Sequence, residues 1–333
     1  MKVYPIKFNP ILKEKIWGGN KLANLLGKTT EKDNVGESWE ISDVNGNIST
    51  VNNGEYEGMN LKDLITNHES DLLGIDNFKN FGYNFPLLIK FLDAKTDLSV
   101  QVHPDNTMAK RKHNSFGKTE MWYIMDSDDN ADIVLGLKDK NMSPKMLHHI
   151  NSNNVDSVFN REKVKKGDSF FIPAGKIHAI GAGVLAAEIQ QTSDITYRVY
   201  DWDRKDSNGE KRELHTQLAE KATKIFDSNG KAEYTIKPNK STNLVDCEYF
   251  TTNVMNITKH IAKDYSNLDS FVVFMCVEGE VDITAGYYTE NLKIGETVLL
   301  PAKAEEIAFN SQNAKLLEIY INNGLVQCVL IAS

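Results

Sequence analysis

Two stretches of this chain carry the same short pattern. Gly167-Asp168-Ser169-Phe170-Phe171-Ile172-Pro173-Ala174 and Gly295-Glu296-Thr297-Val298-Leu299-Leu300-Pro301-Ala302 each open with a glycine and an acidic residue, pass through a short apolar segment and stop at a proline. The glycine opens a turn, the apolar run reads as a strand, and proline ends it because it has no N–H to continue a ladder. The repeat implies two related β-units. A length of 333 residues agrees, since a single hydrophobic core rarely grows so large. The first copy continues Gly175-Lys176-Ile177-His178, whereas the second continues Lys303-Ala304-Glu305-Glu306, so chemistry is expected of the first unit alone.

Other strand signals fit a mainly β chain. Pro86 to Leu92, Glu120 to Met125, Ser169 to Ile172 and Phe271 to Val277 mix β-branched and aromatic residues between turn formers. Ser38-Trp39-Glu40-Ile41-Ser42 alternates polar and apolar, as a half-buried strand does. Helices are expected at the periphery: Asn60 to Ile65, Ser143 to Leu147 with a serine cap and a first-turn proline, and Leu214 to Phe226, where Leu214, Leu218, Ala222 and Ile225 share one face. The polar stretch from Asp227 to Ser241 reads as the linker. The expected division is a catalytic unit with peripheral helices over 1–240 and a degenerate second unit without a metal site over 241–333.

A formal charge of -8 argues against nucleic acid and anionic membranes as partners, which need a concentrated basic face. A small anionic substrate is compatible with it if a few Lys or Arg gather in a pocket. The opening residues have no signal-peptide core, and no run reaches the roughly 18 apolar residues of a membrane span, so a cytoplasmic location is expected. Cys247, Cys276 and Cys328 are scattered and read as reduced, mostly buried thiols.

On a strand, Ser99, Gln101 and His103 point to one side. Glu120 follows at the head of an apolar strand that a hairpin would return beside His103, and His178 enters a strand after the Pro-Ala-Gly turn. Two imidazoles and a carboxylate suit zinc, with the Gln101 oxygen as a weaker fourth ligand. Manganese, cobalt and iron suit the same donors.

At this point the sequence resembles a known family. Gly167-x5-Pro173-x-Gly175-x2-His178 looks like the second cupin motif, and Gln101-x-His103 with Glu120 like a variant of the first. Pro86-Leu87-Leu88-Ile89-Lys90, Ser99 to Asp105, Gly117-Lys118-Thr119-Glu120-Met121-Trp122-Tyr123 and Thr196-Tyr197-Arg198-Val199-Tyr200-Asp201 resemble type I mannose-6-phosphate isomerase, short bacterial form. So do Lys15-Ile16-Trp17-Gly18-Gly19 and Gly36-Glu37-Ser38-Trp39-Glu40. The resemblance implies two cupin-type, jelly-roll-like β-barrels with a few peripheral helices. It also implies one zinc held by Gln101, His103, Glu120 and His178, and a catalytic Arg198.

The implied reaction moves a proton between C1 and C2 of a sugar phosphate through an enediolate, interconverting mannose 6-phosphate and fructose 6-phosphate. Glu188, in the apolar run Ala186-Ala187-Glu188-Ile189, is the candidate base, with a raised pKa expected from burial. A hydride shift would need no such base. Lys118 and Ser99 are candidates for meeting the substrate, and Trp17 and Trp39 for walling the pocket or filling the core. Two rivals share the architecture: another metal-dependent cupin enzyme, and a non-catalytic sugar-phosphate-binding module that keeps the metal for stability and would have no need of Arg198 and Glu188.

Overall fold

Strand Leu87–Ala94 is buried along its whole length, and the layering of the molecule follows from that. A strand covered on both faces reads as a continuous apolar run rather than an alternation. In the computed structural model, which describes residues 1–28, 31–205 and 208–322, this strand lies inside a six-stranded antiparallel sheet. The spatial order is Ser169–Ile172, Glu120–Ser127, Val184–Gln191, Leu87–Ala94, Ile11–Gly19, Val35–Ile41. One face, including Leu87, Ile89, Phe91, Met121 and Ile189, joins a core with Val273, Met275, Leu317 and Ile319 from the C-terminal unit. The opposite face, including Leu92, Trp122, Ile124 and Ala186, packs on Ile133, Leu135 and Ile180 of a five-stranded sheet.

That second sheet is ordered Phe159–Lys163, Asp132–Leu137, His178–Ile180, Val100–Val102, Tyr197–Tyr200. Its outer face is closed by Ala219 and Ala222 of helix Thr216–Ala222, with Leu147 and Val155. The ladders do not close into barrels. Each unit is an open jelly-roll sandwich, and in the first the edge strands Val35–Ile41 and Tyr197–Tyr200 leave a gap that becomes the mouth of a cavity.

In the C-terminal unit, strand Val272–Ala285 serves both halves of a nine-stranded network. Its first part pairs with Thr297–Leu300 and Ala314–Tyr320, and its second with Tyr288–Lys293 and Glu306–Asn310. The change of partner falls at Gly279, at φ +71°, where a Cβ would lie 2.0 Å from the Asn313 carbonyl oxygen. Ile6–Lys7 pairs with Leu299 and Val298, so the first strand of the chain extends the C-terminal sheet.

The register reproduces the sequence repeat. Ile172 stands opposite Glu120, and its counterpart Leu300 stands opposite Val272. His178 stands opposite Gln101, and Glu306 opposite Asp264. Valine, with no ligand atom, therefore occupies the place of Glu120 in the second unit, and a glutamate that of His178.

Two peripheral expectations change. The helix anticipated over Leu214 to Phe226 runs only from Thr216 to Ala222, and Leu214 and Ile225 are 44% and 43% exposed. Small Ala219 and Ala222 make the buried contact, and just beyond the helix the Lys224 amide bonds to the Gly175 carbonyl at 2.8 Å, drawing the chain away. Pro144–His149 is a 3-10 helix, capped as expected by Ser143. The polar linker lies along the first unit: Phe171 N donates to Gly230 O at 2.8 Å and Ala232 N to Ser169 O at 2.9 Å. Cys328 lies outside the described residues.

Candidate metal centre and its cavity

His103, Glu120 and His178 meet between the two sheets of the first unit. Their ligand atoms lie within 4.8 Å of one another, and all three residues are buried. Nε2 of His103 is 3.1 Å from Nε2 of His178, and each lies 3.3 Å from an oxygen of Glu120. Among the described residues no other group of this kind forms.

The rings are oriented from behind. Nδ1 of His103 faces the Ile195 carbonyl at 2.9 Å, and Nδ1 of His178 the Lys176 carbonyl at 2.8 Å. A carbonyl only accepts, so each Nδ1 carries the proton and each Nε2 lone pair faces the centre. Burial, then the Lys118 charge, pushes His103 down to about 3, and burial lowers His178 as well. Burial alone would raise Glu120, but Lys118 and then His103 outweigh it and hold the carboxyl well below its usual range. Both histidines are thus neutral and the glutamate ionised, the forms that bind a metal.

Neither carboxylate oxygen of Glu120 makes a hydrogen bond of good geometry, although both are buried; the Lys118 ammonium is ion-paired with Oε2 at 3.2 Å, and Oε1 faces the His178 imidazole. One ammonium leaves both oxygens short of hydrogen bonds and two imidazole lone pairs converging on them, an arrangement that a divalent cation satisfies as a set. The donor set fits zinc. Gln101 stands beside it with Nε2 3.4 Å from Nε2 of His178, and an amide flip presents its oxygen there instead. The ammonium of Lys118 lies 3.2 Å from Glu120 and 3.1 Å from His103, so it points at the ligands.

Above the triad opens a cavity of about 220 Å³. It brings together Gln101, Ser99, Lys118, Trp17, Glu188 and Arg198, and with them Trp39. Arg198 donates from Nη1 to the Glu213 carbonyl at 2.7 Å, while its Nε is buried without a partner. Burial, and next the neighbouring Arg212, lower its pKa. Trp17 does both things its sequence left open: it lines the cavity and packs against the core between the sheets.

Glu188 sits on the cavity wall, but not alone in an apolar run. Oε1 accepts from Lys90 at 3.0 Å and Oε2 from the Trp122 indole at 2.9 Å. Lys90 also stands 4.0 Å from Glu37, a second cavity carboxylate. Although burial pushes Glu37 upward, Lys90 and then Lys15 hold it down at about 2. Burial would lower Lys90, yet Glu188 and Glu37 keep it raised. Sequence reasoning missed Lys90, although a lone lysine within Leu87-Leu88-Ile89-Lys90-Phe91-Leu92 was a usable signal, because a charge in a strand buried on both faces needs a partner. It also missed Arg212, which reaches the cavity clamped on Asp201, Nε to Oδ2 at 2.7 Å, with Arg204 on the same carboxylate at 2.5 Å.

Replacing Lys90 by methionine keeps the stem and removes the charge shared by the buried Glu188 and the half-buried Glu37. The expected loss of unfolding free energy is about 3–5 kcal/mol, read from denaturant midpoints of metal-loaded protein.

Residues 6–142 match the family described as phosphomannose isomerase type I, catalytic domain, and residues 240–321 match the mannose-6-phosphate isomerase cupin domain. Mannose-6-phosphate isomerase ManA of Bacillus subtilis is 37% identical over 305 residues, covering 90% of this chain and 94% of that protein. The chain belongs to the type I phosphomannose isomerase family. A mannose-6-phosphate isomerase from Streptococcus mutans is 36% identical over 299 residues, covering 89% of this chain and 92% of the relative. A crystal structure of mannose 6-phosphate isomerase from Bacillus subtilis superimposes with a TM-score of 0.84 at 35% identity, covering 95% of this chain and 99% of that one. The chain is an aldose-ketose isomerase of cupin fold; His103 and Glu120 fall within the catalytic-domain match, and His178 follows it on the same pair of sheets.

Proposed function

We propose that this isomerase interconverts mannose 6-phosphate and fructose 6-phosphate through an enediolate, with zinc held by Gln101, His103, Glu120 and His178. The observation that carries the reading is the buried carboxylate of Glu120 set between two imidazole nitrogens, its oxygens without good hydrogen bonds, directly behind Gln101 and Lys118, which line a cavity rich in cations. When bound, zinc supplies Lewis acidity for charge developing on the sugar oxygens and has no redox chemistry to divert the intermediate.

The protein's own groups divide the remaining work. Arg198, tied at one nitrogen to the Glu213 carbonyl, offers its free edge to the enediolate oxygen. Glu188, fixed by Lys90 and Trp122, carries the proton between C1 and C2. Ser99 and Lys118 add donors around the sugar, and Trp17 and Trp39 shape the walls. Arg212, held rigid by Asp201, binds the phosphate, so the dianion is met by cations gathered in the cavity.

If Arg212 holds phosphate equally in ground and transition states, Arg212→Gln raises KM for mannose 6-phosphate by about ten-fold or more, the worth of one charge-assisted hydrogen bond, and leaves kcat nearly unchanged. Steady-state kinetics in a coupled assay check it. Metal analysis of the purified chain with the same assay tests the whole reading. One zinc per chain, loss of turnover on chelation and recovery with zinc are expected; turnover that survives complete metal removal would refute it.

No helix of the described residues is long and apolar enough to cross a membrane. A cytoplasmic setting is part of the reading, supported by the free thiols of Cys247 and Cys276, which burial pushes up to about 11 and about 12.

A further inference from the structure

The turn Pro173 to Lys176 touches the segments bearing all three residues of the metal triad. Ala174 N donates to Oγ1 of Thr119, next to Glu120, at 3.2 Å. Gly175 N donates to the carbonyl of His103 at 2.9 Å. The Lys176 carbonyl accepts from Nδ1 of His178 at 2.8 Å. Gly175 needs to be glycine here, since at φ +94° a Cβ would meet the Ala222 carbonyl at 2.9 Å.

What holds this turn lies elsewhere in the chain. The Lys176 side chain runs from the turn to the linker, and the residue is only 3% exposed. Its ammonium donates to the carbonyls of Ser228 and Asn229, at 2.9 Å and 2.6 Å, in the linker that leads towards the C-terminal unit. No carboxylate among the described residues pairs with it. The linker is in turn fixed to the strand before the turn by Phe171 N donating to Gly230 O at 2.8 Å. A charged donor buried against two neutral acceptors is a costly way to fill space, but it makes a short, directional tie.

We infer that Lys176 is a positioning residue for the metal centre: its ammonium clamps the Pro173–Lys176 turn onto the Ser228–Asn229 carbonyls and so sets the direction of the His178 imidazole and the spacing of His103 and Glu120. This rests on the triad holding a metal as proposed above. The clamp works at one remove from the ligands, through backbone groups, and the linker thereby takes part in the metal site without lining it. Outer partners that orient a ligating histidine generally change metal affinity by roughly 10–100-fold when lost.

The test is zinc affinity and zinc dissociation rate of the full chain, measured by competition with a chromogenic chelator, alongside the melting temperature of the metal-free form. Lys176→Met is expected to bind zinc about ten-fold or more weakly and release it correspondingly faster. Lys176→Arg, which keeps charged N–H donors, is expected to bind within about three-fold of the unaltered chain. Gly230→Ala approaches from the other side: at φ +86° its added Cβ would fall 2.2 Å from the Phe171 carbonyl and 3.3 Å from the Lys176 ammonium, so the loop must shift. It too is expected to weaken zinc, and it decides the matter if Lys176→Met does not fold. Unchanged zinc affinity in a folded Lys176→Met, or in Gly230→Ala, overturns the inference, even if the metal-free melting temperature falls. An unaltered chain that takes up no zinc refutes the metal reading itself, a result distinct from a chain and variants that bind zinc equally well.

Discussion

Replacing His178 by alanine is expected to strip the metal from the protein and to lower turnover to background. The residue supplies one of only three strong donors, and the others, His103 and Glu120, cannot complete a tetrahedral site with Gln101 alone. Removal of an outer partner typically costs roughly 10–100-fold in affinity, so loss of a ligand should exceed about 100-fold. The fold should survive, because the side chain deleted is small beside the core formed by Trp122, Ile124, Phe170 and Ile180. Zinc content after dialysis, zinc titration and the coupled assay are the measurements. A His178→Ala protein that retains stoichiometric zinc and near-normal kcat would remove the triad from the function. The same substitution has a second use. At the corresponding position of the C-terminal unit stands Glu306, beside Asp264 and on the strand-pairing frame that puts Val272 in the place of Glu120. Changing Glu306 to alanine should leave zinc content unaltered.

Arg198→Ala is expected to lower kcat by about two orders of magnitude or more with zinc content intact. The structure sharpens the reason. The guanidinium is anchored at Nη1 to the Glu213 carbonyl, its backbone amide donates to Nδ1 of His215 at 3.1 Å, and its Nε is buried without a partner. A guanidinium held on the cavity wall by the Glu213 carbonyl has its charge in position before substrate arrives, which suits it to charge that appears only during the reaction. Arg198→Lys separates charge from shape: lysine keeps the charge but not the planar fork, and it cannot span from Glu213 to the cavity with fixed direction. Substantial recovery of kcat in Arg198→Lys would mean charge neutralisation suffices. A rise in KM with kcat unmoved would instead assign Arg198 to uniform binding, alongside Arg212.

How much of this was legible in the chain depends on how local the governing interactions are. The strands were readable because period and punctuation are local: Glu120–Ser127, Ser169–Ile172 and Leu87–Ala94 begin within a residue of where turn formers and apolar runs put them. The alternation Ser99, Gln101, His103 gave a shared face for the same reason. Equivalent positions in the two units followed from the repeat, and the pairing register agrees with it. The expected helix from Leu214 to Phe226 outruns the observed Thr216–Ala222 because the C-terminal end is set by a contact with Gly175, a residue far off in sequence.

The sequence by itself determined the make-up of the triad: two histidines and a glutamate at strand positions, with an amide beside them, in the unit whose repeat kept its Gly-x-x-His. Tertiary structure alone decided how that set is charged, held and reached. Burial and the Lys118 ammonium fix the histidines neutral and Glu120 ionised. Lys90 turns Glu188 from an isolated carboxylate into half of a buried ion pair. Arg212 enters the cavity through a clamp on Asp201, and Lys176 braces the turn beneath His178 from the linker. Each of these depends on which distant side chains share a low-dielectric space. Electrostatic and hydrogen-bond energies there change several-fold over an ångström or two, so they are properties of the packed arrangement and not of any segment of the chain.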